Sequence, residues 1–365
     1  MSTSTHDALP FNQQPTGDLL ALELKELGWS QADFAAVLGR PTQFVSEIIT
    51  GNKEITRESA AQIAAALGHT AQYWLNLQNE YLLAEQAGDQ RTQTKLDDVR
   101  RRARLNMKAP IALLKKRGVF TGSTLDALET EVQELFGLAS LDDEPYIAMA
   151  AKRANHNEDV SLLQKTWGAC VGREGSRDLP KVPYAADKLA RIAADLPRGV
   201  HTEGDFAKLP AIFAEAGVRL VFVEAFAGAK IDGCSMFVGQ HPVIGLSGRG
   251  QRLDKVFFTL LHEVGHILRG HVTKDCAIIE DLDDKDPRLA DRETEANDDA
   301  VNWIFPRGFP KVPARISGPW VEETANQLGI ARILLVGQLQ KRGRLDWRTT
   351  LAKGAPTVTE ALTSW

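Results

Sequence analysis

The most constraining stretch of this 365-residue chain is Val256–Gly270, VFFTLLHEVGHILRG. It sets His262-Glu263-Val264-Gly265-His266 inside an apolar run with helical spacing. Residues four apart share one face of a helix, so both imidazoles can address a single ion. Glu263, one position beyond the first His, can then reach a water beside that ion. Phe257, Leu260, Leu261, Val264, Ile267 and Leu268 would bury such a helix, and Gly270 supplies a C-terminal stop. An H-E-x-x-H string alone arises by chance in roughly 1% of chains of this length. Two buried histidines satisfied by backbone or carboxylate partners would produce the same string, so the discriminating feature is a third ligand.

Arg292-Glu293-Thr294-Glu295-Ala296-Asn297 offers one. On a helix Glu293 and Glu295 point to different faces. Glu293 is followed at i+4 by Asn297, which puts a carboxylate ligand and an amide able to orient a ligating His on one face. His262, His266 and Glu293 then form a His2Glu set for Zn2+, the thermolysin-type arrangement that leaves one position open for catalysis, with Glu263 as general base. Glu295 is the weaker ligand candidate, because its same-face neighbour Asp299 would add a second carboxylate. Taken alone, Glu293 reads as a solvated helix charge.

The chain is long enough for two or three domains with real cores. A net charge of −5 gives no global nucleic-acid footprint, so any DNA contact must come from a local patch. Cys170, Cys234 and Cys276 are odd in number and widely spaced, which fits reduced thiols and a cytoplasmic location. No apolar run approaches a membrane span, and the polar start MSTSTHDALP is not a signal peptide.

Residues 1–14 read as a disordered tail, and residues 15–83 as five short punctuated helices. Ser30 caps one with Asp33 three residues on, Gly39 ends it, Pro41 opens the next and Gly51 closes that; Thr56 and Thr70 cap two more. Gln31–Thr50 has the layout of a helix-turn-helix, with Ala35 small at the helix crossing and Gly39 at the left-handed turn. Val37, Leu38, Phe44, Val45, Ile48 and Ile49 are the expected core. Thr42, Gln43, Ser46 and Glu47 then face outward toward base edges, while Gln31 and Lys53 are placed for phosphates. A small helical interaction domain that never touches DNA fits the same pattern. Residues 17–83 carry four basic against eight acidic side chains, net −4, so DNA binding would need a homodimer on a two-fold operator or help from elsewhere.

Residues 84–92 read as a polar connector, and residues 84–200 as a basic linker and helical region. Just after the connector, within residues 95–117, Lys95, Arg100, Arg101, Arg102, Arg104, Lys108, Lys115, Lys116 and Arg117 face only Asp97 and Asp98. That run suits phosphate contacts, a solvated face or docking to acidic segments equally well. Helices are expected over Ser123–Leu138, Ala148–Lys165 and Ala185–Leu196, with a loop at Arg173–Pro183; His156 and His201 lack metal-like spacing. From Asp205 a helix to Glu215 leads into short β-rich runs at Val218–Val223, Cys234–Val238 and Pro242–Leu246, a small sheet beside the H-E-x-x-H helix. Such a sheet can align an extended peptide along its edge. An acidic loop, Glu280–Asp286, separates the two ligand-bearing helices. His241 and His271 are read as structural, with an oxyanion role the alternative. A helix pair at Val321–Leu328 and Ile330–Lys341 precedes a loose tail, 346–365.

Two resemblances rest on these residues. PTGDLLALELKELGWSQADFAAVLG through YWLNLQNEYLL resembles the Cro/C1-type (XRE) helix-turn-helix of HigA-type antitoxins, YWLNLQ being the more specific part. LVFVEAF, KIDGCSMFVGQHPVIGLS, FTLLHEVGHILRGH, ETEAN and LLVGQLQKRG, within residues 201–345, resemble the ImmA/IrrE metallopeptidases. That likeness implies zinc at His262, His266 and Glu293, Glu263 as general base, and regulated proteolysis of a repressor or partner protein. Where that family has an aromatic-Ala pair after the third ligand, Asp298-Asp299-Ala300 stands here, which reads as altered packing with no ligand missing. The expected architecture is α+β and predominantly helical: a five-helix DNA-binding domain, a helical linker and a zincin-like domain with a small sheet. The expected function is a DNA-binding regulator with a zinc endopeptidase domain. The alternative is an antitoxin-like repressor whose zincin domain senses a ligand or a toxin partner without cutting.

Overall fold

The structure is a computed structural model that describes residues 14–143, 161–273, 278–280 and 290–365. The expected tail (bar residue 14), most of the helix expected from Ala148, His156, Cys276 and the acidic loop beyond Glu280 lie outside them. The chain divides into two compact units, the first ending at Arg102 and the second starting at Ala103.

The first unit holds α1 (Thr16–Glu26), α2 (Gln31–Leu38), α3 (Thr42–Ile49), α4 (Arg57–Leu67) and α5 (Ala71–Gly88), and α6 (Gln90–Lys108) begins in it. Ser30 and Thr56 form the capping boxes of α2 and α4, and Thr70 caps α5, each hydroxyl accepting an otherwise orphaned backbone N–H. Leu20, Phe34, Val45, Ile48, Ile63 and Trp74 make the core. Val37, expected in that core, is 55% exposed, because α2 turns that face to solvent. The YWLNLQ segment has a structural role: Trp74 is fully buried, and the Gln78 amide bonds both the N–H and the carbonyl of Ile55, closing the loop before α4.

The expected connector is helical instead. Only Asp89 separates α5 from α6, and its carboxylate accepts the Thr92 N–H to start α6. Ala, Glu, Gln and Arg favour helix, so a polar run without proline need not be a loop.

The second unit contains a four-stranded sheet in the order β1-β3-β2-β4: β1 (Arg219–Phe222), β2 (Gly233–Val238), β3 (His241–Leu246) and β4 (Ile278–Glu280). β1 runs parallel to β3, and the other pairings are antiparallel. Before the sheet come α7 (Ile111–Lys116), α8 (Leu125–Phe136), α9 (Leu162–Arg177), α10 (Ala186–Gly199), α11 (Glu203–Phe206) and α12 (Leu209–Ala214). After β3 come α13 (Leu253–Leu268), α14 (Ala290–Ile304), α15 (Gly318–Leu328), α16 (Arg332–Lys341), a 3-10 turn (Thr350–Ala352) and α17 (Thr359–Thr363).

Alternation along the strands sorts their side chains into two cores. Val221, Cys234, Met236 and Val243 join α8 and α9, where the Trp167 indole N–H donates to the Val223 carbonyl at 2.8 Å. Leu220, Ile244 and Leu246 join α10, α13 and α16. The helices α7 to α10 therefore belong to the same unit as the strands, α7 to α9 covering one face of the sheet and α10 packing on the other, where a separate linker region was expected. Each hides one face in its layer, which reads from sequence as an ordinary amphipathic linker helix. The expected loop at Arg173–Pro183 starts later, since α9 continues to Arg177, and the single helix expected over Asp205–Glu215 is two short ones. The tail is packed: Val358, Ala361 and Leu362 are buried, and the Trp365 ring stacks on Phe206 at 5.4 Å. Cys170 and Cys234 are both buried, and burial pushes the Cys170 thiol up to about 11. No described helix is long and apolar enough to cross a membrane.

Candidate functional site

α13 is buried along nearly its whole length, and its H-E-x-x-H turn places two imidazoles and a carboxylate inside. His262 and His266 are both 0% exposed, with their Nε2 atoms 2.9 Å apart. α14 crosses that turn and delivers Glu293, whose Oε2 lies 3.3 Å from His262 Nε2 and whose Oε1 lies 3.4 Å from His266 Nε2. These are the described residues whose His, Cys and carboxylate atoms converge tightly enough for a metal. Ligand atoms around a tetrahedral zinc, each about 2.0–2.1 Å from it, stand about 3.3 Å from one another. The three donors thus fit one small divalent cation in both type and spacing.

The close approach of the helices depends on Gly265. A Cβ there would lie 3.1 Å from the Ala296 Cα and 3.2 Å from its carbonyl oxygen. Arg269, at the end of α13, forms a two-pronged bond to Asp299 of α14 at 2.7 and 2.8 Å, and the carboxylate holds the guanidinium above its usual range. The second helix is thus clamped to the first by an ion pair.

Beyond the ligands runs a chain of hydrogen bonds that the sequence reading missed. His266 Nδ1 lies 2.9 Å from His271 Nδ1, and His271 Nε2 lies 3.0 Å from Glu295 Oε2. A carboxylate only accepts, so the His271 proton sits on Nε2 and its Nδ1 accepts from His266. His266 is then protonated at Nδ1, and its Nε2 lone pair points at Glu293 and His262. Burial and the neighbouring His266 push the His271 pKa down, which favours the neutral ring that this chain requires. Asn297, expected to orient a ligating His, offers no such bond through Oδ1: among the described residues that buried oxygen accepts none. The orienting residues for His266 are His271 and Glu295. Their signal was the third histidine of HEVGHILRGH, one residue past the helix stop.

Glu263 is 1% exposed and accepts a hydrogen bond from the Ser235 hydroxyl of β2. Strand alternation aims Gly233 and Ser235 at α13, opposite to Cys234 and Met236. A Cβ at Gly233 would come within 2.7 Å of the Glu263 carboxylate. The polar Ser between core residues in CSMFV was the legible sign of this contact. His241 lies apart, bonded to the Gly217 carbonyl at 2.9 Å.

In the first unit, α2 ends at Gly39 with φ +63°, and α3 follows after Pro41. Gln31, Thr42 and Gln43 are exposed, and Ser46 and Glu47 are half-buried. Glu47 is already engaged: Gln43 donates to it at 2.9 Å and Lys53 pairs with it at 2.9 Å. The Lys53 bond, with Gln43 second, holds the Glu47 carboxyl below the usual range. Arg40 and Lys53 both lie 5.3 Å from the Phe44 ring centre, so two cations flank the exposed end of α3.

Comparison with known proteins falls on this unit. The family described as Helix-turn-helix (HTH_3) matches residues 20–74. An uncharacterized HTH-type transcriptional regulator, YddM of Escherichia coli (strain K12), is 35% identical over 74 residues, 20% of this chain and 79% of the relative. The chain belongs to the helix-turn-helix regulators. A crystal structure of a putative antidote protein of a plasmid maintenance system from Nostoc punctiforme PCC 73102 shares 31% identity, over 24% of this chain and 92% of that one, with a TM-score of 0.22. The α2–α3 pair of this regulator is thus a DNA-binding element of the Cro/C1 type, carried by a predominantly helical chain with a small sheet.

Proposed function

We propose that this helix-turn-helix regulator carries a zinc-dependent endopeptidase in its second unit, and that regulated cleavage of a repressor or partner protein is part of its switch. The observation that carries this reading is the convergence of His262, His266 and Glu293 with Glu263 alongside. When bound there, zinc supplies Lewis acidity, polarising a scissile carbonyl and lowering the pKa of a water toward 7. The chain's own part is to hold three lone pairs in register and to keep the His266 proton on Nδ1 through His271 and Glu295. Glu263 takes a proton from the attacking water and passes it to the leaving amine, with Ser235 fixing the carboxylate. DNA binding rests on Thr42, Gln43, Ser46 and Glu47 at base edges and on Gln31 and Lys53 at phosphates. The acidic balance of residues 17–83 calls for a homodimer on a two-fold operator.

A second reading has its own support. Glu263 is buried and bonded to Ser235, an arrangement equally suited to a metal-bound sensor that never cuts. Expression from the protein's own promoter separates the two, comparing wild type with E263Q and with Q43A/S46A. The peptidase reading expects both to change expression, E263Q with zinc still bound. If only Q43A/S46A derepresses, the second unit senses or scaffolds.

A further inference from the structure

The outward side chains of α3 do not stand independently. Gln43 Nε2 donates to Glu47 Oε1 at 2.9 Å, one helical turn on. Glu47 Oε2 meets the Lys53 ammonium at 2.9 Å, and the Lys53 main-chain N–H donates to the Glu47 carbonyl at 3.0 Å. Lys53 is itself seated 5.3 Å from the centre of the Phe44 ring. Each carboxylate oxygen is therefore engaged from its own side, and the lysine offsets a charge that would otherwise oppose DNA phosphates. Lys53 first, and Gln43 second, hold the Glu47 carboxyl below its usual range, so it is ionised and can only accept.

That pairing fixes the Gln43 amide. Its nitrogen must face the carboxylate, and one of the two N–H groups is used there. The exposed remainder is the amide oxygen and one N–H, an acceptor beside a donor. In the major groove adenine shows the complement, its N6 donor beside the N7 acceptor, whereas guanine shows two acceptors, O6 and N7. A free glutamine can turn both N–H groups to guanine; one tied to Glu47 cannot. We infer that Glu47 serves base recognition through Gln43, as the positioning residue that restricts α3 to adenine at one base pair of the site. This deepens the DNA-binding reading above and rests on it, and it is independent of the metal site.

The test is selection by the full chain from duplexes randomised over about 20 base pairs, two helical turns, with sequencing of the bound fraction. Wild type is expected to enrich adenine at a position where Q43A shows no preference. E47A should still bind but admit guanine at that same position, lowering the adenine-to-guanine ratio about tenfold. E47Q, whose amide oxygen still accepts from Gln43, should keep the wild-type ratio. In the Q43A/E47A double variant the position should look as it does in Q43A, because Glu47 has nothing left to orient. A wild-type ratio in E47A overturns the inference. So does relaxation by E47A of a different base pair, above all one with a cytosine, whose N4 donor a carboxylate can read directly. Uniform weakening of every sequence by E47A would make Glu47 a support of the fold, and guanine at the Gln43 position would refute the donor–acceptor argument. Those results leave base reading by α3 standing, since Q43A still relaxes one position. If wild type enriches no sequence, or Q43A relaxes none, base reading by Gln43 itself fails and the inference falls with it.

Discussion

A ligating imidazole is only as good as the atom behind it, and here that atom is His271 Nδ1, 2.9 Å from His266 Nδ1. Remove it, and His266 loses the partner that fixes its tautomer, so the Nε2 lone pair is offered only part of the time. Partners of this kind are typically worth about 10–100-fold in metal affinity. H271A is therefore expected to weaken zinc binding by about that factor in a chelator competition, with the fold retained because His271 is partly exposed. E295Q should do less, since an amide oxygen still accepts from Nε2. If H271A binds zinc as tightly as wild type, the chain through His271 has no part in presenting His266. Ser235 plays the corresponding part for Glu263: its hydroxyl holds one carboxylate oxygen, and the missing side chain of Gly233 leaves room for the other.

Among the elements, the site depends on how closely two helices can cross. Gly265 is the unspecified fourth letter of the H-E-V-G-H string, yet α14 lies where its Cβ would be. G265A should push α14 outward by a few tenths of an ångström, costing about 1–3 kcal/mol of stability and loosening Glu293 from the histidines. A lower melting temperature together with weaker zinc binding is the expected result; unchanged values for both would mean the helices give way without cost. Sequence could not identify this role, because a glycine that admits a neighbouring helix looks like any other helical glycine. Legibility followed the same line elsewhere. Caps at Ser30, Thr56 and Thr70 and the left-handed Gly39 were readable because they are local, settled within three or four residues. The three longer strands were readable from their β-branched and apolar runs. The His262–His266–Glu293 set was readable because helical periodicity fixes which side chains share a face. The nearly unbroken helical course through residues 84–92, the burial of Val358 and Leu362, and the Ser235–Glu263 bond were not, since each depends on which distant surface an element meets.

At the scale of the whole molecule, the two proposed ligand classes fall on different compact units: DNA on the one ending at Arg102, metal on the one starting at Ala103. A ligand stabilises only the folded state that binds it, by about 2.7 kcal/mol at a hundredfold excess over Kd. His262 and His266 lie on α13 and Glu293 on α14, far apart in sequence, so an unfolded second unit offers no assembled site. Calorimetric scans of the full chain should therefore show zinc raising, and a chelator lowering, the transition that carries the heat of residues 103–365. The transition of the smaller unit should stay in place. Adding operator DNA should move the smaller unit's transition upward, and Q43A/S46A should remove that shift while leaving the zinc effect intact. The acidic balance of residues 17–83 makes the DNA shift fall steeply with added salt only if basic groups such as Arg40 and Lys53 contact phosphates, since each contact releases counterions. A zinc shift confined to the smaller unit would detach the H-E-x-x-H turn from metal binding, and with it the peptidase reading.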